Sequence, residues 1–443
     1  MVCLRGMIVA GALVGTAALI GCGAGISTAA AKDSGPAVVT AAALKGVVMG
    51  GQQPVGGVTL QLYQAGSAGY GSAATALGGT TKTNAQGNFD LASYTCTAGS
   101  QVYLVGTGGM PTAVLTNNNL ALMVGLGTCG GTYLNGFIDM NELTTVATVW
   151  ALAPFMKGAA LIGSSGGNAA GLADAFAAIN QVVTTANGTV PGPTLPTGAT
   201  LNATEIDTLG DILEQCINSG GGVAGDLSPC GNLFHLAPNA AGTVFPADTI
   251  TAAMNMAQSP GRNVAGLNKL RSAQPVFEPS LDVNAPPNDW TIAITYTGGG
   301  LSAPTAIAMD ASGNAWIANG GNASVTELNN AGAAVSGASG FTAGGLSGPS
   351  AIAIDASGNA WVTNAGNSTL TELSAGGATG TVFHGNGLSG PASVAIDGMG
   401  NIWVANAGTN AVSGFTSSGG VLAGSPFSGV GTSAPMSVAV TPK

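Results

Sequence analysis

The last third of the chain says one thing three times, and that repetition constrains its fold more than any composition does. Pro304-TAIAMDASGNAWIAN returns as Pro349-SAIAIDASGNAWVTN and Pro391-ASVAIDGMGNIWVAN, and a fourth start stands at Pro435. The leading prolines are 45, 42 and 44 residues apart. A period of this length marks one supersecondary unit that cannot bury its apolar face alone and stacks on its neighbours. Within a unit, an apolar strand runs into Asp310, Asp355 or Asp397. A turn follows at Gly313-Asn314, Gly358-Asn359 or Gly400-Asn401, and the chain returns through Trp316, Trp361 or Trp403. Gly supplies positive φ and Asp or Asn bonds to nearby amides, so Asp-x-x-Gly-Asn reads as a hairpin connector. The tryptophans are expected to pack on the next unit. The repeated acids, and Asn319, Asn364 and Asn406 after them, are expected to serve turns. A channel-lining cation role for the three acids is the competing reading.

Function classes narrow quickly. Lys and Arg number 9 against 19 Asp and Glu in 443 residues, a formal charge of −10. Nucleic acid needs clustered cations to neutralise phosphates, so it is not expected as a partner. Charged residues are 6% of the chain, far below the usual quarter, so solubility rests on Ser, Thr, Asn and the backbone.

The amino terminus reads as a targeting segment: Arg5, then the small and apolar run Met7 to Gly21, short for a membrane span and suited to a signal core. It closes on Leu19-Ile20-Gly21-Cys22, which resembles the lipobox of bacterial lipoproteins. The resemblance implies removal of residues 1–21, lipidation of Cys22, and attachment through roughly 0.8 kcal/mol per buried CH₂. Gly23 in place of Asp then favours the outer membrane or cell surface. Residues 22–36 read as a flexible tether. Four cysteines remain, Cys96, Cys129, Cys216 and Cys230. In an oxidising compartment an even number implies disulfides. Three pairings exist, and sequence order favours Cys96–Cys129 with Cys216–Cys230. Without any Cys-x-x-Cys, and with His235 simply near Cys230, no metal is expected.

Residues 37–115 read as short strands; Val58, Leu60 and Leu62 share one face. The stretch Gly46-VVMGGQQPVGGVTLQLY to Thr83-NAQGNFDL is similar to the carboxypeptidase regulatory-like family, which implies a small β-sandwich used as a spacer or adhesion unit. Residues 116–275 change to helical period: Leu143, Val146, Ala147 and Trp150 before Pro154; Leu172, Phe176, Ile179 and Val183; Ile206 to Ile217, with Thr204 as N-cap; and a helix capped by Asp248. A disulfide-braced helical domain is expected there, then a linker at 276–289. Trp290 to Tyr296 is expected to open the repeat region, 290–443, as the last strand of an incomplete unit, and to share a blade with Met436 to Val440.

The pattern Pro-x-x-Ile-Ala-x-Asp-x-x-Gly-Asn-x-Trp resembles the NHL repeat, a blade of a β-propeller, in the form seen in streptogramin-lyase-like proteins. The fold class expected is therefore multidomain: sandwich, helical domain, and a small or incomplete propeller. Closed propellers hold four to eight blades, so open edges that pair with further copies are one expectation. The resemblance implies a lyase-like enzyme as one reading, with His384 on an inter-blade connector as the candidate acid or base, but no second histidine joins it in the repeats. No Walker lysine or His-Glu-x-x-His occurs, and no cofactor is expected. The favoured reading is a lipid-anchored binding or scaffold protein of the cell envelope, with Phe341, Phe383 and Phe427 as loop aromatics able to meet a protein, peptide or glycan. A self-associating structural subunit is the third.

Overall fold

The computed structural model describes residues 37–131, 136–429 and 433–440. The signal segment, Cys22 and the tether lie outside them. The described chain has an amino-terminal β-sheet region, a central helical region and a carboxy-terminal β-sheet region.

In the first region, one antiparallel sheet has the order Thr75–Lys82, Thr59–Gln64, Gln101–Thr107, Ala121–Thr128. In a second, Leu44–Gly50 pairs antiparallel with Asn88–Leu91 and parallel with Phe137–Met140. Val58, Leu60 and Leu62 are all buried on the expected common face. The disulfides are Cys96–Cys129 and Cys216–Cys230.

The helices are α1 (Glu142–Leu152), α2 (Ala169–Val182), α3 (Ala203–Ile217), α4 (Pro229–Leu236) and α5 (Thr249–Gln258). Their expected stripes are buried: Leu143, Val146 and Ala147 on α1, Phe176 and Ile179 on α2, and Ile206, Leu209, Ile212 and Leu213 on α3. Asp248 caps α5 by accepting from the Thr251 amide at 2.7 Å.

Several expectations are corrected. The strands Ala121–Thr128 and Phe137–Met140 lie beyond residue 115 and complete the two sheets, so residues 116–275 are not helical throughout. Helices and sheets share one apolar core running from Ala41 to Trp290. The physical link is the edge strand Ala121–Thr128, whose outward amides would otherwise be unpaired. Thr145 and Thr148 of α1 accept from Met123 and Gly125 at 3.0 and 2.9 Å, and Thr249 of α5 accepts from Ala121 at 2.9 Å. Residue Asn202, not Thr204, precedes α3, and its side chain bonds Glu205 at 3.1 Å instead of capping. Residues 276–289 are packed rather than a free linker. The Asp211 carboxylate accepts from the amides of Val276 and Phe277, both at 2.9 Å, and Thr208 from that of Leu281 at 2.8 Å. Trp290 is fully buried in the central core, and its carbonyl accepts the Trp150 indole at 2.6 Å. Ile294–Tyr296 pairs with Ala199–Leu201 and with no repeat strand. Met436 to Val440 forms no strand, so the expected shared blade is not assembled.

The repeats give three antiparallel meanders. The first sheet is Pro304–Met309, Ala315–Asn319 and Ser324–Leu328. The second is Pro349–Ile354, Ala360–Asn364, Thr369–Leu373 and Gly380–Phe383. The third is Pro391–Ile396, Ile402–Asn406, Ala411–Phe415 and Phe427–Ser428. They form an open series, first on second and second on third.

Candidate functional site

The repeated polar residues are consumed within their own sheets. Asp355 Oδ1 accepts from the amides of Ser357 and Asn359 at 2.8 and 2.9 Å, and Oδ2 from Asn359 Nδ2 and the Trp361 indole, both at 3.1 Å. Asp310 and Asp397 repeat the set with Trp316 and Trp403. The Trp403 indole and the Asn401 amide hold the Asp397 carboxyl well below the usual carboxylate range. Gly358 stands in the turn at φ +84°, where a side chain would strain the backbone. Asn364 donates to Thr369 and Thr371 at 3.1 and 2.9 Å and accepts from the Ser347 amide at 3.1 Å. These side chains hold hairpins and connectors, and none is left over for a ligand.

The tryptophans do what the repeat requires. Trp316 is buried with Leu346, Ile352, Ala360, Val362 and Leu373 of the second unit. Trp361 is buried with Leu388, Val394, Ile402, Val404 and Phe415 of the third. Trp403, with no further sheet against it among the described residues, is half-buried and rests on Phe427 at 5.6 Å. Phe341 and Phe383 likewise lie on Trp316 and Trp361, at 5.6 and 5.4 Å. These aromatics close their own sheets.

The face that receives a tryptophan in the second and third sheets is open at Ile307 and Met309 in the first, with Ile317 and Leu328 buried at its floor. Leu301, Ile307, Ala315, Ile317 and Leu328, at the positions of the residues just named, line a groove of about 630 Å³ together with Met309. Ile307 and Met309 are 65% and 58% exposed, whereas Ile352, the counterpart of Ile307, is 7% exposed. Tyr296 forms the other wall. The sequence signal for this site was present, since it is the first of three copies without a predecessor, but a repeat unit alone does not show which side is covered.

His384 is exposed on the connector after Gly380–Phe383 and makes no hydrogen bond or ion pair among the described residues. His235, on α4, is exposed and stacks on Phe245 at 5.6 Å. No group of three metal-ligating side chains occurs among the described residues.

A second cluster, of acids, surrounds α1 and α3. Glu142 is fully buried and both its oxygens accept the Gly51 amide, at 2.9 and 3.0 Å. Burial, with Glu214 and Asp139 nearby, pushes its pKa up to about 8. Burial raises Asp139 to about 6, and burial with Asp211 raises Asp207 to about 7. Asp139 and Asp207 line a pocket of about 430 Å³ beside Asn141 and Glu278. Burial away from water favours the protonated form of these carboxyls over the charged one.

No family model matches the chain, and no curated protein does. Among solved structures, a streptogramin B lyase is 18% identical over 28% of this chain and 40% of its own, with a TM-score of 0.25. An inactive virginiamycin B lyase from Staphylococcus aureus, with quinupristin, is 17% identical over 32% and 46%, TM-score 0.28. A chain of a nidogen–laminin complex is 19% identical over 29% and 51%, TM-score 0.24. The chain thus spans less than half the length of the lyases it is similar to, and these scores bear on no activity.

Proposed function

We propose that the chain is a binding and scaffold protein of the cell envelope, exported and held by lipid at Cys22. In this reading the amino-terminal sheets are a carboxypeptidase-regulatory-like sandwich, the helices brace it, and the three repeat sheets are blades of an incomplete NHL-type propeller that presents a surface to a protein, peptide or glycan. One observation carries the binding role: the polar groups shared by all three repeats are spent on shape, while the apolar end face at Ile307 and Met309 stands open to solvent. An exposed apolar surface of this kind marks an interaction site. The test is an array of peptides, proteins and glycans probed with residues 37–443. Saturable retention of a ligand supports the role; a blank array overturns it. Mass spectrometry of membrane-extracted protein checks the anchor: a diacyl or triacyl Cys22 as the first residue is expected, and an unmodified amino terminus rejects it.

The second reading is a propeller enzyme resembling the streptogramin lyases, with His384 as acid or base. It requires turnover of a streptogramin that His384→Ala abolishes. Absence of turnover, or turnover that survives this substitution, excludes it.

A further inference from the structure

Tyr296 stands eight residues before Pro304, as Phe341, Phe383 and Phe427 stand eight residues before Pro349, Pro391 and Pro435. The position is the same in space. A Cβ on Gly332 would collide with the Tyr296 ring, as one on Gly377 would with Phe341 and one on Gly419 with Phe383. Ile294–Tyr296 is therefore the outer strand of a sheet that would precede the first, and no inner strands accompany it among the described residues.

Its backbone confirms the direction of what is missing. Phe341 exchanges both backbone bonds with Val325, at 2.9 and 2.7 Å, inside its own sheet. On the Ile294–Tyr296 strand, Thr297 donates to the Gly198 carbonyl at 3.1 Å, so Thr297 and Thr295 face Ala199–Leu201. Alternate residues of an antiparallel ladder point to opposite edges, and Ile294 and Tyr296 turn their N–H and C=O groups the other way. No strand pairs that edge among the described residues. An unpaired edge thus lies beside the vacant tryptophan-receiving face of the first sheet.

From this juxtaposition we infer that the groove between Ile294–Tyr296 and the first repeat sheet takes an extended segment of another protein. The segment adds as a strand at Ile294 and Tyr296 and seats an aromatic ring, best an indole, among Leu301, Ile307, Ile317 and Leu328. Backbone pairing gives affinity and the ring gives selectivity, as in other strand-addition sites. The chain itself shows the fit twice, with Trp316 and Trp361 as occupants of the equivalent faces. A second copy does not fit. Its Trp403 face brings Phe427 to the place Tyr296 already fills, and its residues 433–440 lie there too, the Val438 amide on Ser393 Oγ at 3.3 Å. The inference rests on the binding role proposed above and names its ligand class.

The test uses the full chain and a labelled synthetic peptide of residues 349–373, which carries the three inner strands and Trp361. Saturable binding by fluorescence anisotropy is expected. The same peptide with Trp361→Ala, or the chain with Ile307→Asp, should bind roughly tenfold or more weakly, the latter because a carboxylate would be buried. Ile307 is exposed in the free chain, so the new carboxylate stays in water until the peptide binds, and an unchanged melting temperature of the variant checks its fold. Hydrogen exchange at the Tyr296 amide should slow when the peptide is added. Lack of saturable peptide binding, equal binding by the Ile307→Asp chain, or unchanged exchange at Tyr296 overturns the inference. So does a dimer in sedimentation that Ile307→Asp dissolves, which would assign the groove to a second copy. An array ligand whose retention Ile307→Asp leaves intact would keep the binding role and remove this site.

Discussion

A single indole separates the interior of the repeat series from its end. Trp361 is fully buried between two sheets and has its N–H bonded to Asp355 at 3.1 Å. Removing a buried aromatic costs the transfer term and leaves a cavity, about 3–5 kcal/mol together. Trp361→Ala should lower the unfolding free energy of the repeat region by that amount, read from urea denaturation. Trp403 has the same bond, to Asp397 at 3.0 Å, but a half-buried ring, so Trp403→Ala should cost clearly less. Equal losses would mean that stacking on the next sheet contributes nothing.

At the scale of elements, the edge strand Ala121–Thr128 depends on hydroxyls carried by helices. The Gly125 amide has Thr148 as its partner at 2.9 Å. A valine there matches the shape and leaves the amide unpaired, a cost of about 1–3 kcal/mol. Thr148→Val should lose that much in chemical denaturation, while Thr148→Ser keeps most of it. This dependence explains what was legible in the sequence. The Asp-x-x-Gly-Asn hairpins were readable because donor and acceptor lie within four residues. The helical stripes were readable because burial follows a 3.6-residue period. The join of sheet to helix was not, since Thr145 and Thr148 sit in a helix as ordinary polar residues and their partners lie more than 20 residues away. Residues 276–289 looked like a linker by their prolines, and only the fold brings Asp211 to their amides. Trp290 to Tyr296 was read as opening the repeat region, but the strand that pairs with Ile294–Tyr296 comes from residue 199 onward, and nothing local announces such a partner.

For the whole molecule, the buried acids set the response to pH. Unfolded carboxyls titrate near pH 4, whereas Glu142 is raised to about 8, Glu205 and Asp207 to about 7 and Asp139 to about 6, all chiefly by burial. Between those limits the folded chain holds more protons than the unfolded one. Stability from these groups is therefore complete below about pH 4 and is lost as pH rises through 6 to 8. The melting temperature should be lower at pH 8 than at pH 5. Glu142→Gln should raise it at pH 8, by about 2–4 °C for each kcal/mol recovered, and leave it nearly unchanged at pH 5. A profile that climbs from pH 5 to pH 8, or a Glu142→Gln variant that melts lower at both, would contradict this assignment.

The repeat sheets are joined by turn carboxylates, hydroxyls, amides and indoles, and their bonding calls on no cation. No Lys or Arg lies between Arg271 and Lys443. A protease that must seat a basic side chain finds nothing to grip along that whole length, folded or unfolded. Trypsin should therefore release residues 272–443 as one intact fragment even after the rest of the chain has been digested.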